Sequence, residues 1–252
     1  MRVAVIGARG RIGHEVADIL AGRGHEVVPI GRSEGVDVHT GAGLEAALTG
    51  VDAVVDAVNA ATTRTEEVTE FFGTVAANVQ RAASAAGVRW IALVSIIGID
   101  PFTEGHYAGK LAHERGYLAG PVPVRIVRAA QFHEFTEMML EWTTRGDTAY
   151  VPETRTQLVA ARTVAEHLAD LAEAPTAPER LDIAGPQPLE LAAAAAELAA
   201  RRGAPAHVTE VADPDDPEAK LRAEGALLPG PDAILAGPTF AEWLDAKYPR
   251  VR

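Results

Sequence analysis

The chain opens "MRVAVIGARGRIGHEVADIL", and its glycines Gly7, Gly10 and Gly13 separate an apolar run from a stretch of helical periodicity. No other segment narrows the fold as much. "RVAVIG" reads as a short buried strand. Ile12, Val16, Ile19 and Leu20 then fall at helical spacing, and Gly24 stands where a C-terminal cap belongs. A strand that turns through glycines straight into a helix aims backbone N–H groups at an anion. The missing side chains let a pyrophosphate come close and let the helix pack tightly on the strand. We therefore expect Gly7, Gly10, Ile12 and Gly13 to cradle the phosphates of a dinucleotide, with Arg9 and Arg11 in the same turn offering a cation to a further phosphate. Spaced glycines alone are a weak sign, and it is the strand–turn–helix setting that gives them weight.

The same rhythm continues downstream. "HEVVPIGR" reads as a second strand, "VDV" as a short third, "GLEAALTG" as a brief helix and "VDAVVDAVN" as a fourth strand. Roughly residues 63–86 form a long helix closed by Gly87, and "VRWIALVSIIG" is a fifth strand. "HYAGKLAHERGYLAG" is the next helix and "VPVRIVRAAQF" a sixth strand. Strands joined by helices imply crossover units and a mostly parallel sheet covered on both faces. The fold class is thus α/β, a doubly wound Rossmann-type parallel sheet with a small C-terminal α/β lobe. The rhythm loosens after Phe132, where "HEFTEMMLEWTT" and "RTVAEHLADLAE" look helical and "TAYVP", "RTQLVA" and "RLDIAG" look extended. The expected division is a dinucleotide-binding domain over 1–150 and a substrate-binding lobe over 151–252 that partly completes the sheet.

Composition removes several classes of function. There is no cysteine among the 252 residues, so disulfides, thiolate metal sites and cysteine nucleophiles are excluded. A formal net charge of −12 repels nucleic acid on average, and no basic patch interrupts it. No apolar run is long enough for a bilayer and no leader pattern precedes the first strand, so the expected setting is the cytoplasm, away from membranes. His133 and Glu137 lie one helical turn apart, but no third ligand accompanies them and no metal is expected. There is no G-x-S-x-G elbow for a serine hydrolase. Nothing in the sequence decides between a monomer and a homo-oligomer.

The glycine turn with its G-x-x-G-x-x-G spacing, "GVDAVVDAVN", "AAGVRWIALVSIIGID", "YAGKLAHE", "VRAAQFHEF" and the terminal "TFAEWL" together resemble the short-chain dehydrogenase/reductase superfamily, in its atypical, NmrA-like branch. The likeness spans nearly the whole chain and is far more specific for the superfamily than for one activity. It implies a nicotinamide dinucleotide and a small-molecule substrate. It places Asp37 and Val38 beside the adenine, and Ala57, Val58 and Asn59 along the cofactor after the fourth strand. Their position after the sixth strand sets Gln131, Phe132 and His133 at the nicotinamide end, where with Ile97 they would wall the substrate pocket; a purely structural role for Phe132 and Phe135 is the alternative.

The second strand ends in "PIGRS". A carboxylate at that point would bind the ribose 2′-hydroxyl of NAD, whereas Arg32, followed by Ser33, suits the 2′-phosphate of NADP. NADP(H) is expected ahead of NAD(H). Reduction of a carbonyl also needs a proton donor, and the resemblance assigns a serine, a tyrosine and a lysine to that task. Ser95 and Lys110 match two of them, but His106 fills the tyrosine's position and Tyr107 stands one place late. Lys110 lies about 40° around the helix from His106 and about 60° from Tyr107, so each can approach it from its own flank. By position, the expected donor is His106. The ammonium beside it would favour a neutral imidazole, a poorer acid, and Tyr107 remains the alternative. Lys110 and Glu114 also have the spacing of a plain surface ion pair. The expected activity is reduction of a carbonyl, enone or quinone-like compound. The rivals are a dinucleotide-sensing regulator without turnover and a non-redox isomerase or dehydratase.

Overall fold

The computed structural model describes residues 1–213 and 215–249. Its first half alternates as the sequence predicts. The elements are β1 (Arg2–Ile6), α1 (Arg11–Gly22), β2 (Glu26–Ile30), α2 (Leu44–Ala47), β3 (Ala53–Asp56), α3 (Thr65–Ala86), β4 (Trp90–Ile96), α4 (Gly105–Leu118) and β5 (Val124–Ala129). Then come α5 (Phe135–Thr143), β6 (Thr144–Arg145), β7 (Thr148–Pro152), β8 (Arg155–Thr156), α6 (Ala161–Glu173) and β9 (Arg180–Ala184). The last are β10 (Leu189–Glu190), α7 (Leu191–Arg202), β11 (His207–Val211), α8 (Ala219–Ala223), β12 (Ile234–Leu235) and α9 (Phe240–Lys247).

Seven strands form one sheet in the order β12-β9-β5-β4-β3-β1-β2. The pairs β1–β2, β1–β3, β3–β4 and β9–β12 run parallel. The order reverses beside β1, the switch point at which a doubly wound sheet opens a crevice. The expected strand at "VDV" is absent. There Asp37 Oδ1 accepts the backbone N–H groups of His39 and Thr40, at 2.9 and 3.3 Å, and Asp37 makes only an isolated bridge to Ala42. An Asp side chain that satisfies its own backbone competes with a ladder, and here it wins. "RTQLVA" likewise yields only the two residues of β8, paired with β10. Among the described residues, no helix is long and apolar enough to cross a membrane.

The chain does not divide at a single point near residue 150. One compact unit comprises Met1–Ile96, Phe102–Arg128 and Val164–Leu181, and the other Ile97–Pro101, Ala129–Thr163 and Asp182–Arg252. In the first, β3 and nearly all of β4 are buried, which explains their continuous apolar runs. Helices α3 and α4 approach closely because α4 presents glycines to its neighbour. A Cβ on Gly109 would stand 2.6 Å from Val68 Cγ2, and one on Gly116 2.8 Å from Ala76 Cβ. Trp90 opens β4 with the guanidinium groups of Arg89 and Arg125 at 4.5 and 4.3 Å from its ring centre, and its Nε1 donates to Ala172 O at 3.0 Å.

The second unit packs α5, β7, α7 and α9 around Leu140, Val151, Leu198, Phe240 and Trp243. Helix α9 starts on a reciprocal cap: the Thr239 side chain accepts from Glu242 N while the Glu242 carboxylate accepts from Thr239 N.

Candidate active site

Strand β1 ends at Ile6 and the chain turns at Gly7, whose φ of 75° lies in the left-handed region. Gly7 N–H donates to Ile30 O at 2.9 Å and Gly10 N–H to Gly7 O at 2.8 Å. A Cβ on Gly13 would stand 2.1 Å from Gly7 O, and one on Gly7 2.8 Å from Ala57 O, so the protein's own packing requires both glycines. Gly10 is different. It is exposed, and a Cβ there would meet only Gly7 O, at 3.1 Å. Gly10 is also the N-cap of α1, gives no side-chain hydrogen bond, and is followed by a first turn without an acid. The leading N–H groups of α1 can therefore receive an anion, and this turn fits a dinucleotide pyrophosphate.

Past β2 the chain runs through extended Gly31 into a single 3-10 turn, Arg32–Glu34. That turn brings the Glu34 carboxylate back over the strand end. Its Oε1 lies 2.6 Å from Arg9 Nε in the glycine turn and its Oε2 accepts the Ser33 hydroxyl at 2.8 Å. Arg32 is exposed.

Helix α4 starts at Gly105, whose φ of 56° suits glycine and whose N–H donates to Thr65 Oγ1 at 2.9 Å. His106 and Tyr107 thus sit in the first turn, on the two flanks that helical geometry predicts. The His106 ring lies 6.0 Å from that of Phe72, and Lys110 Nζ lies 4.9 Å from the same ring centre. Tyr107 instead packs against Phe102, with ring centres 4.6 Å apart. Ser95, near the carboxyl end of β4, is 2% exposed, and its Oγ has no hydrogen-bond partner. Burial pushes Lys110 down to about 8, although Asp56 and Glu114 pull the other way. Burial, then the charges of Lys110 and His113, push His106 down to about 4. Near neutral pH, Lys110 is mainly an ammonium and His106 a neutral imidazole.

A second layer of charge, which the sequence reading missed, supports this helix. Asp56 Oδ2 accepts the Tyr117 hydroxyl at 2.5 Å and its Oδ1 accepts Val58 N at 2.8 Å. His113 Nε2 stands 3.2 Å from Asp56 Oδ2, close enough to pair electrostatically but at an angle that makes no hydrogen bond. Burial pushes His113 down, with Asp56 pulling the other way, and burial also works against the charge on Asp56. The groups around Asp56 prevail and hold it below its ordinary value. One turn past Lys110, Glu114 is not a surface partner for that lysine. It is buried and takes Arg128 Nε and Nη2 at 2.9 and 2.7 Å. The signs were present in the sequence: Lys110, His113, Glu114 and Tyr117 share a helical face, and Asp56 and Arg128 interrupt apolar strands.

No family model matches the sequence, and no curated protein matches it. Solved structures do. A dTDP-4-dehydrorhamnose reductase from Bacillus anthracis, in complex with NADP, aligns at TM-score 0.77 and 14% identity over 97% of each chain. An NADPH-dependent quinone oxidoreductase from Escherichia coli, complexed with NADPH, aligns at TM-score 0.68 and 20% identity over 97% of this chain and 99% of that one. A nucleoside-diphosphate-sugar epimerase from Staphylococcus aureus aligns at 0.68 and 15% identity over 100% and 98%. The chain shares the fold of these proteins.

The other residues that the sequence resemblance singles out fall in varied surroundings. Ile12 is buried at the head of α1, and Val38 is buried in the core of the first unit. The Asp37 carboxylate is engaged in its own loop. Ala57 N–H donates to Ile6 O, Val58 packs on the core, and Asn59 is exposed. In the second unit Ile97 is fully buried, and Phe132 bridges to Val159. Gln131 Oε1 accepts the Thr156 hydroxyl at 2.7 Å, while its buried Nε2 has no partner. His133 Nε2 lies 3.1 Å from the Pro238 carbonyl, which can only accept, so that nitrogen carries the proton and the unpartnered Nδ1 does not. Glu137 takes Tyr248 and Lys247. Neither His133 nor Glu137 is arranged as a metal ligand, and the described residues contain no cluster for one.

Proposed function

We propose that the protein is a NADP(H)-dependent oxidoreductase that reduces a carbonyl, enone or quinone-like small molecule. One observation carries this: a buried Ser95 hydroxyl without a partner and a buried Lys110 lie in the same unit as a glycine turn open to an anion. Two of the similar structures, each with a NADP cofactor bound, are of a dehydrorhamnose reductase and a quinone oxidoreductase, which supports the same class. Arg32, exposed past the end of β2, supplies a cation for a 2′-phosphate, which favours NADP(H) over NAD(H).

A bound nicotinamide would supply the hydride. The chain's own residues would do the rest. Ser95 donates a hydrogen bond to the carbonyl oxygen and orients it. A proton must then reach the developing alkoxide, and we assign its delivery to Tyr107 rather than to His106. The position of His106 in the helix favoured it, but an imidazole held near 4 carries no acidic proton at neutral pH. Lys110, charged below about 8, favours the phenolate that Tyr107 leaves behind. His106 contributes a neutral hydrogen-bonding group.

NADPH consumption across a panel of aldehydes, ketones, enones and quinones tests the proposal. Turnover should appear, and Tyr107→Phe should lower kcat by ~10²–10⁴. Lys110→Ala should weaken both turnover and NADPH binding. Retained activity in Tyr107→Phe with loss in His106→Gln would return the donor's role to His106. Tight NADPH binding without turnover on any substrate would favour the regulator, for which the absence of a tyrosine at position 106 is the supporting observation. NADPH that stays unconsumed while a substrate isomerises or loses water would favour the third class.

A further inference from the structure

We propose that Glu34 sets the protein's choice between NADP(H) and NAD(H), by neutralising Arg9 and covering the ground that a 2′-phosphate would occupy. This rests on the dinucleotide binding proposed above. The strand end offers arginine and serine and no acid when read in order, yet the 3-10 turn Arg32–Glu34 delivers an acid from the far side. Glu34 N–H donates to Gly31 O at 3.0 Å, and Gly35, with φ of 78°, ends the turn. The carboxylate then lies so near the strand end that a Cβ on Gly31 would stand 3.0 Å from its Oε2.

Two donors hold it, Arg9 Nε at 2.6 Å and Ser33 Oγ at 2.8 Å, and they keep its charge by lowering its proton affinity. The Glu34 side chain is 17% exposed, whereas Arg9, although paired with it, is 74% exposed and within reach of a competing anion. A carboxylate beside the glycine turn accepts hydrogen bonds from ribose hydroxyls and repels a phosphate on the same ribose. A 2′-phosphate would have to take both Arg9 and Ser33 from Glu34, so the residue holds down whatever preference Arg32 confers.

Calorimetric titration of NADPH, NADH and adenosine 2′,5′-bisphosphate into wild type and Glu34→Gln provides the test. Glu34→Gln should tighten NADPH and the bisphosphate at least tenfold and leave NADH unchanged or weaker. The gain should shrink below threefold when Arg9→Gln is already present, because the two side chains act as a pair. A NADPH-to-NADH ratio that stays within twofold of wild type in Glu34→Gln overturns the inference. So does an undiminished gain in the Arg9→Gln background, which would mean only a general loss of negative charge. If neither dinucleotide binds either protein, the function proposed above falls and this inference falls with it. NADPH that binds in the predicted pattern but is never consumed sinks the reductase and leaves Glu34 in its role.

Discussion

His106 and Lys110 are two bases that burial pushes in one direction; neighbouring charges carry His106 further and pull Lys110 part of the way back. The histidine's shift has a stability consequence whose sign is fixed. The unfolded chain takes a proton near 6.5 and the folded chain only near 4, so between those values the unfolded state binds more protons. Stability is therefore greatest above 6.5 and falls as pH drops toward 4. At pH 5 the penalty reaches about 2 kcal/mol. In urea unfolding, His106→Gln should lose about that much less than wild type between pH 7 and pH 5. His113 is buried alike in both proteins, so the comparison isolates position 106. Equal acid sensitivity of the two proteins would show that His106 is not desolvated. The rate of NADPH consumption should show no inflection near 6.5 and should fall above about 8, where Lys110 loses its charge.

Between β1 and α1 the outlying glycines of the turn, Gly7 and Gly13, answer to the fold, and the middle one answers to a ligand. Gly13→Ala would put its methyl about on top of Gly7 O, so it should unfold the element or cost several kcal/mol. Gly10→Val should keep the circular dichroism and urea midpoint near wild type yet abolish NADPH binding in calorimetry. Normal binding by that variant would make the turn merely structural. The contrast was only half legible beforehand. The spacing of the three glycines announced the turn, but not which of them the backbone itself demands. The order of β1 to β5 and the closure of α3 at Gly87 could also be read, since apolar runs and glycine caps are local properties. "VDV" misled because one Asp side chain, bonding to its own loop, outweighed two β-branched neighbours. The layer formed by Asp56, His113 and Tyr117 escaped because a buried carboxylate is recognisable only once its partners on a distant helix are in place.

Across the molecule, the compact units exchange segments of chain repeatedly, so no cut near residue 150 would release either one whole. The sequence had suggested two consecutive pieces because linkers and composition are visible along the chain, whereas a return to an earlier unit is not. The placement of the tryptophans turns this into something that can be watched. Trp90, flanked by two guanidinium groups, is 7% exposed in the first unit; Trp243 is 9% exposed in the second, and Trp142 is 64% exposed. In a Trp142→Phe background, Trp90→Phe and Trp243→Phe each leave a single buried indole, reporting on one unit alone. A chain threaded back and forth should melt as one, so the two emission curves should share a midpoint in urea. Separated midpoints would show units that come apart in sequence. The indole between its two arginines is thus a native optical probe, already built into the half of the protein that carries the glycine turn.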